Sequence, residues 1–129
     1  MYWIGVDLDG TLAFEDEWRG IEHIGVPIPR MVERVKQLIA DGEDVRIFTA
    51  RSSRLQTDEE RAIAIRCVED WCETHLGRRL PVTNEKDRFL KYFWLYSATG
   101  LMQTRASIRV RSSEFPRRRA LWTNWKNPT

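Results

Sequence analysis

The chain has 129 residues and a mass of 15.3 kDa. That is one domain's worth of polypeptide, able to bury a core without disulfides or a structural metal. Hydrophobic residues make up 42% and charged residues 31%, which excludes wholesale disorder, and no apolar run approaches the roughly 20 residues of a membrane span. The net charge of +2 hides a sign reversal. Residues 1–87 carry 12 Lys/Arg against 18 Asp/Glu, a net −6, and residues 88–129 carry 9 Lys/Arg against the single acid Glu114, a net +8. The N-terminus meets Asp7 without a basic run and does not read as a signal peptide. Cys67 and Cys72 are five apart in a helical segment, on different faces. They read as reduced thiols of an intracellular, cytoplasmic protein.

In chain order, Tyr2–Leu8 reads as a buried strand ending in acids and Gly10. Residues 12–28, with Gly20, Gly25 and Pro27, read as an irregular flap or small hairpin. Pro29 opens a helix to about Asp41, with Met31, Val32, Val35, Leu38 and Ile39 as its apolar stripe and Gly42 as its stop. Asp44–Thr49 reads as a second strand. Thr57-Asp58-Glu59-Glu60 is a capping-box signature for a helix to about Leu76, stopped by Gly77. Its expected inner stripe is Ile65, Val68, Cys72 and Leu76, with Ile63 and Trp71 nearby. Leu80–Thr83 reads as a third short strand, and Phe89–Tyr96 as one more apolar strand. Beyond it, residues 97–129 show no sustained period and read as a divergent basic segment following a domain over 1–96.

Alternation of strand and helix implies an α/β fold, a Rossmann-like parallel sheet with flanking helices. In such sheets function collects at the carboxyl ends of the strands. Asp7, Asp9, Thr49 and Lys86 all fall at or just past those ends. Two carboxylates at i and i+2 on a strand point to one side, and Gly10 allows a sharp turn and close approach of an anion to the backbone. A carboxylate so placed can attack phosphorus, and a second can move protons for the leaving oxygen and for water.

Asp7-Leu8-Asp9-Gly10-Thr11-Leu12 resembles the first motif of the haloacid dehalogenase-like hydrolases. Ile47-Phe48-Thr49-Ala50-Arg51 resembles their second motif, and Thr83-Asn84-Glu85-Lys86-Asp87 their third. The resemblance covers about residues 2–87. It implies Asp7 as nucleophile and Mg²⁺ ligand, and Asp9 as general acid/base with its backbone carbonyl on the metal. It implies Thr49 as a phosphoryl hydrogen-bond donor and Lys86 as the neutralising cation, with Gly10, Thr11 and Arg51 contacting the substrate. The implied activity is Mg²⁺-dependent hydrolysis of a phosphomonoester through an aspartyl-phosphate. No room for a cap domain exists between the motifs. The site is therefore expected to be open, suiting an exposed phosphate such as a polynucleotide end or phosphoprotein, or a small ester. Glu15, Asp16, Trp18, Arg19 and His23 are flap candidates for substrate contact.

The resemblance breaks after residue 88. The family's fourth motif supplies one or two acids after a further strand, but here the chain reads Ser97-Ala98-Thr99-Gly100, with no Asp or Glu between residues 88 and 113. Asp7 would hold the metal weakly by itself, or with help from Glu85 or Asp87. Three readings stand open: a phosphatase with a depleted metal site, a family fold turned binding module, and a chain whose reading frame shifts near residue 88. In the second, Arg117-Arg118-Arg119 with Trp122 and Trp125 mixes charge and aromatics as single-strand nucleic-acid binders do, although a solvated basic end is the simpler account.

Overall fold

The computed structural model describes residues 2–15, 17–52, 57–97 and 100–105. Its five strands are β1 (Trp3–Asp7), β2 (Asp44–Phe48), β3 (Val82–Thr83), β4 (Leu90–Ser97) and β5 (Gly100–Arg105). Helix α1 spans Pro29–Ala40, α2 spans Asp58–Leu76, and a short 3₁₀ turn covers Ala50–Ser52. The sheet order is β3-β2-β1-β4-β5. Strands β1 to β4 are mutually parallel where they pair, and β5 runs antiparallel to β4. The arrangement is α/β and Rossmann-like, with β1 at the centre.

The helices follow their local signals. Pro29 starts α1, and Met31, Val32, Val35 and Leu38 are its buried residues, with Ile39 only partly covered. Thr57 caps α2, its Oγ1 accepting from the Glu60 amide at 3.1 Å, and Gly77 ends it with φ 83°, a left-handed geometry that glycine adopts without a Cβ penalty. The inner stripe of α2 is Ala64, Val68, Trp71, Cys72 and Leu76. Ala64 thus replaces the expected Ile65, which is half-buried; positions 64, 68, 71 and 72 share one face at helical spacing.

Alternation along β1 sends Ile4, Val6 and Leu8 to one face, and Trp3, Gly5 and Asp7 to the other. Both helices pack on the Ile4/Val6/Leu8 face, in one core with Val45, Ile47 and Trp94. The order explains this: β1, β2 and β3 are laid down in one direction, so two crossovers of one hand put both helices on one side. The opposite face carries Trp3, Leu90 and Phe93, with Phe48, Phe89 and Leu95 against them. Gly5 lies beneath these rings; a Cβ there would come within 3.1 Å of both Trp3 and Phe93.

No helix joins β3 to β4. Residues 84–89 cross back over the aromatic face directly, pinned by Asp87, whose Oδ1 accepts from Trp3 Nε1 at 2.7 Å and from the Phe89 amide at 2.8 Å. The C-terminal expectation needs correction in part. Residues 100–105 are not irregular but form β5, pairing from Ser97 opposite Gly100 to Tyr92 opposite Arg105. An apolar strand at the sheet edge leaves backbone donors and acceptors unpaired, and the next stretch of chain satisfies them.

Candidate functional site

The carboxyl end of β1 is the topological switch point, since β2 lies on one side and β4 on the other. The chain leaves it in a tight turn. The Leu8 carbonyl accepts from the amides of Thr11, Leu12 and Ala13, and the Gly10 amide donates to the Ala13 carbonyl at 2.8 Å. Gly10 has φ 82°. The turn leaves the Gly10 and Thr11 amides engaged inside it, so neither is free to cradle an anion as the sequence led one to expect.

Asp7 is the last residue of β1, on the aromatic face and beside Phe48 of β2. Its Oδ2 accepts from Thr11 Oγ1 at 3.2 Å. Burial pushes its carboxyl up from the ordinary 3.8 to about 6. The Thr11 hydroxyl opposes that rise, while the negative charges of Asp9 and Glu15 add to it. Glu15, a flap candidate for substrate contact in the sequence, therefore faces the Asp7 carboxylate electrostatically. It reaches back over Gly10, where a Cβ would meet its Oε2 at 3.1 Å.

Asp9 is held differently. Arg51, in the 3₁₀ turn after β2, donates from Nε to Asp9 Oδ2 and from Nη2 to Asp9 Oδ1, both at 2.8 Å. The Arg51 side chain is only 7% exposed. Its Nη1 donates to the carbonyls of Gly20 and Ile21 at 3.3 and 3.2 Å, and the Trp18 ring covers the guanidinium at 4.9 Å. Arg51 thus contacts the second carboxylate and the flap, where the sequence placed it toward substrate. The flap's base is separately anchored: Ala13 bridges Pro27, the Phe14 amide donates to the Val26 carbonyl at 2.7 Å, and Trp71 Nε1 donates to the Gly25 carbonyl at 3.0 Å.

Thr49 is buried just past β2. Its amide donates to the Thr83 carbonyl at 3.0 Å, and its Oγ1 accepts from the Arg51 amide at 3.1 Å. Ser52 Oγ donates to the Thr49 carbonyl, and Asn84 Nδ2 donates to the Ser52 carbonyl at 3.0 Å. These two residues, which the sequence did not single out, tie the second motif to the third.

Lys86 is not brought into a pair with Asp7. Its Nζ lies 4.2 Å from the Phe93 ring and 5.5 Å from the Phe48 ring, on the aromatic face that the 84–89 crossing traverses. Asp87 is spent on Trp3 at the opposite end of β1, where that indole N–H holds its carboxyl below the usual range. It therefore does not serve Asp7. Glu85 is exposed after β3 and is not among the charges acting on Asp7. Of the flap candidates, Trp18 touches the site through Arg51, Arg19 pairs with Glu17 at 3.6 Å, and His23 is exposed. Asp16 lies outside the described residues, as do Arg117, Arg118, Arg119, Trp122 and Trp125. Cys67 and Cys72 are both free thiols. Burial pushes the Cys72 thiol up to about 12, which leaves it inert at neutral pH.

The Mg²⁺ that the resemblance implies can be tested against the donors present. Among the described residues no three His, Cys, Asp or Glu side chains form a metal-holding group. Mg²⁺, however, is commonly held by one or two carboxylates together with substrate phosphate and water. A desolvated Asp7, with Glu15 acting on it and no cation beside it among the described residues, fits that minimal set; Asp9 fits only through its backbone, since both its side-chain oxygens are taken. No helix among the described residues is long and apolar enough to cross a membrane. Comparison with protein families, with curated proteins and with solved structures finds no match.

Proposed function

We propose that the chain is a capless, haloacid dehalogenase-like phosphomonoester hydrolase of the cytoplasm, using Asp7 as nucleophile and Mg²⁺ as cofactor. The observation that carries this reading is the Asp7 carboxylate itself. It stands at the carboxyl end of the central strand, partly desolvated, positioned by Thr11 and near a second acid, Asp9. A structural acid in that place would be expected to have an ion-pair partner, and no cation among the described residues acts on it.

Bound Mg²⁺ would be held by Asp7, the Asp9 carbonyl and Glu15, and it supplies charge neutralisation at the phosphoryl oxygens. Above about pH 6 Asp7 is ionised and attacks phosphorus. The new bond is Asp7 oxygen to phosphorus; the bond that breaks joins phosphorus to the ester oxygen, which leaves with the electron pair and takes a proton from Asp9. A water then attacks the aspartyl-phosphate, gives its proton back to Asp9, and releases inorganic phosphate and free Asp7. Both Asp9 oxygens accept from Arg51 in the arrangement described, so proton transfer requires that pair to part. Thr49 Oγ1, which accepts from the Arg51 amide, keeps its own hydrogen for a phosphoryl oxygen. Lys86, flexible and resting on two rings, would swing from them to the phosphoryl charge. With no cap among the described elements, the substrate is a phosphate presented on an exposed group, a small ester or a polynucleotide end.

The test is turnover of a generic aryl phosphate with Mg²⁺, for the parent and for Asp7→Asn. Release of phosphate by the parent, lost in Asp7→Asn and with chelator, supports the reading. Equal rates in parent and variant, or none in either, rejects it.

A further inference from the structure

The flap is fixed at its base by contacts made without Arg51, namely the Ala13–Pro27 bridge, the Phe14–Val26 bond and the Trp71–Gly25 bond. Its tip, residues 17–21, is held by different means. Arg51 donates to the Gly20 and Ile21 carbonyls, and Trp18 lies over the guanidinium. The same guanidinium is bidentate on Asp9. A single buried side chain thus joins the flap tip to the second carboxylate, and Trp18, itself 65% exposed, is the only ring that covers it among the described contacts.

We propose that Arg51 is a latch: it holds the flap tip shut over Asp9, and a phosphoryl group exchanges for the Asp9 carboxylate on the guanidinium, opening the tip and releasing Asp9. The latch stands on the geometry alone; the exchange rests on the phosphatase reading. The chemistry of the exchange is matched. A guanidinium presents a fork of N–H donors that fits the two-oxygen edge of a carboxylate or of a phosphate equally well. A phosphate reaches that fork only when Trp18 moves aside, because the Arg51 side chain is almost wholly covered. Substrate arrival, flap opening and the freeing of Asp9 are then one event. Arg51 acts as a positioning residue, controlling when Asp9 is available.

Trypsin reads the latch directly, because the Arg19–Gly20 bond lies in the tip beside the carbonyls that Arg51 holds. The full chain is digested briefly and cutting after Arg19 is followed by mass spectrometry. Trp18→Ala, a change at an exposed site, keeps the fold by circular dichroism and speeds that cut about five-fold, the effect of losing one cation–π contact on a local opening. Millimolar inorganic phosphate, compared with chloride at equal ionic strength, speeds the cut several-fold in the parent and adds little in Trp18→Ala. Equal rates in parent and Trp18→Ala overturn the latch. Phosphate that binds by calorimetry without speeding the cut overturns the exchange alone. Absence of phosphate binding overturns the reading of the site and the exchange with it, while the Trp18→Ala comparison still decides the latch.

Discussion

Asp7→Asn should stabilise the fold at neutral pH. The carboxyl of Asp7 is raised from 3.8 to about 6, first by burial, with Asp9 and Glu15 adding their charge. The native state therefore binds the proton more tightly than the unfolded chain does. Stability falls as pH rises through the window between about 4 and about 6, and the full penalty is present above it. The rise from 3.8 to about 6 corresponds to about 3 kcal/mol for a fully desolvated group. Asp7 is only partly buried, so solvent screening reduces this to about 1–2 kcal/mol. Asparagine keeps an oxygen for the Thr11 hydroxyl, which donates at 3.2 Å, and removes the charge. In calorimetry with chelator present, Asp7→Asn should melt about 5 °C above the parent at pH 8, and the difference should vanish near pH 4. Mg²⁺ should raise the parent's melting temperature and leave the variant's unchanged. A variant no more stable than the parent at pH 8, or a gain that persists at pH 4, would refute the desolvation argument.

Three further outcomes follow from packing. Lys91 and Glu43 form a nearly buried ion pair at 2.7 Å, with side chains 10% and 7% exposed; Lys91→Met strips the carboxylate of that partner and should cost about 3 kcal/mol in urea unfolding. Gly25→Ala should disorder the flap, because its Cβ would sit 1.8 Å from the Phe14 carbonyl oxygen; hydrogen exchange at the Phe14 amide, bonded to Val26, should quicken while α1 amides stay protected. Thr57→Ala removes the bond to the Glu60 amide and should lower stability by about 1 kcal/mol, with early fraying of α2 seen by hydrogen exchange.

Much of the frame was legible in the residues. Pro29 and the Met31/Val32/Val35/Leu38 stripe specify α1, and Thr57 with Gly77 brackets α2. These signals act within a turn or two of chain, so one stretch suffices to read them. Asp7 at a strand end was legible for the same reason. The path of residues 84–89 was not. Nothing local says that the link from β3 to β4 runs as a short crossing pinned by Asp87 to Trp3, a contact between residues 84 positions apart. That crossing puts Lys86 on Phe93 and Phe48 and spends Asp87 far from Asp7. β5 was missed because its pattern carries no clear period; it forms because β4 has an open edge.

Propensity and periodicity over a few residues are enough to set β1 to β4 and both helices in order, with their caps and the acidic turn after β1. The tertiary structure alone decided which charges meet. Arg51 and Asp9 are 42 positions apart, and their pairing exists only because β1 and β2 lie side by side and bring their carboxyl ends to one edge. The same adjacency separates two acids that look alike in sequence. Asp7 is left desolvated and near like charge, whereas Asp9 is fully engaged by a guanidinium. Burial and partner, which no local pattern carries, give the two carboxylates their different chemistry.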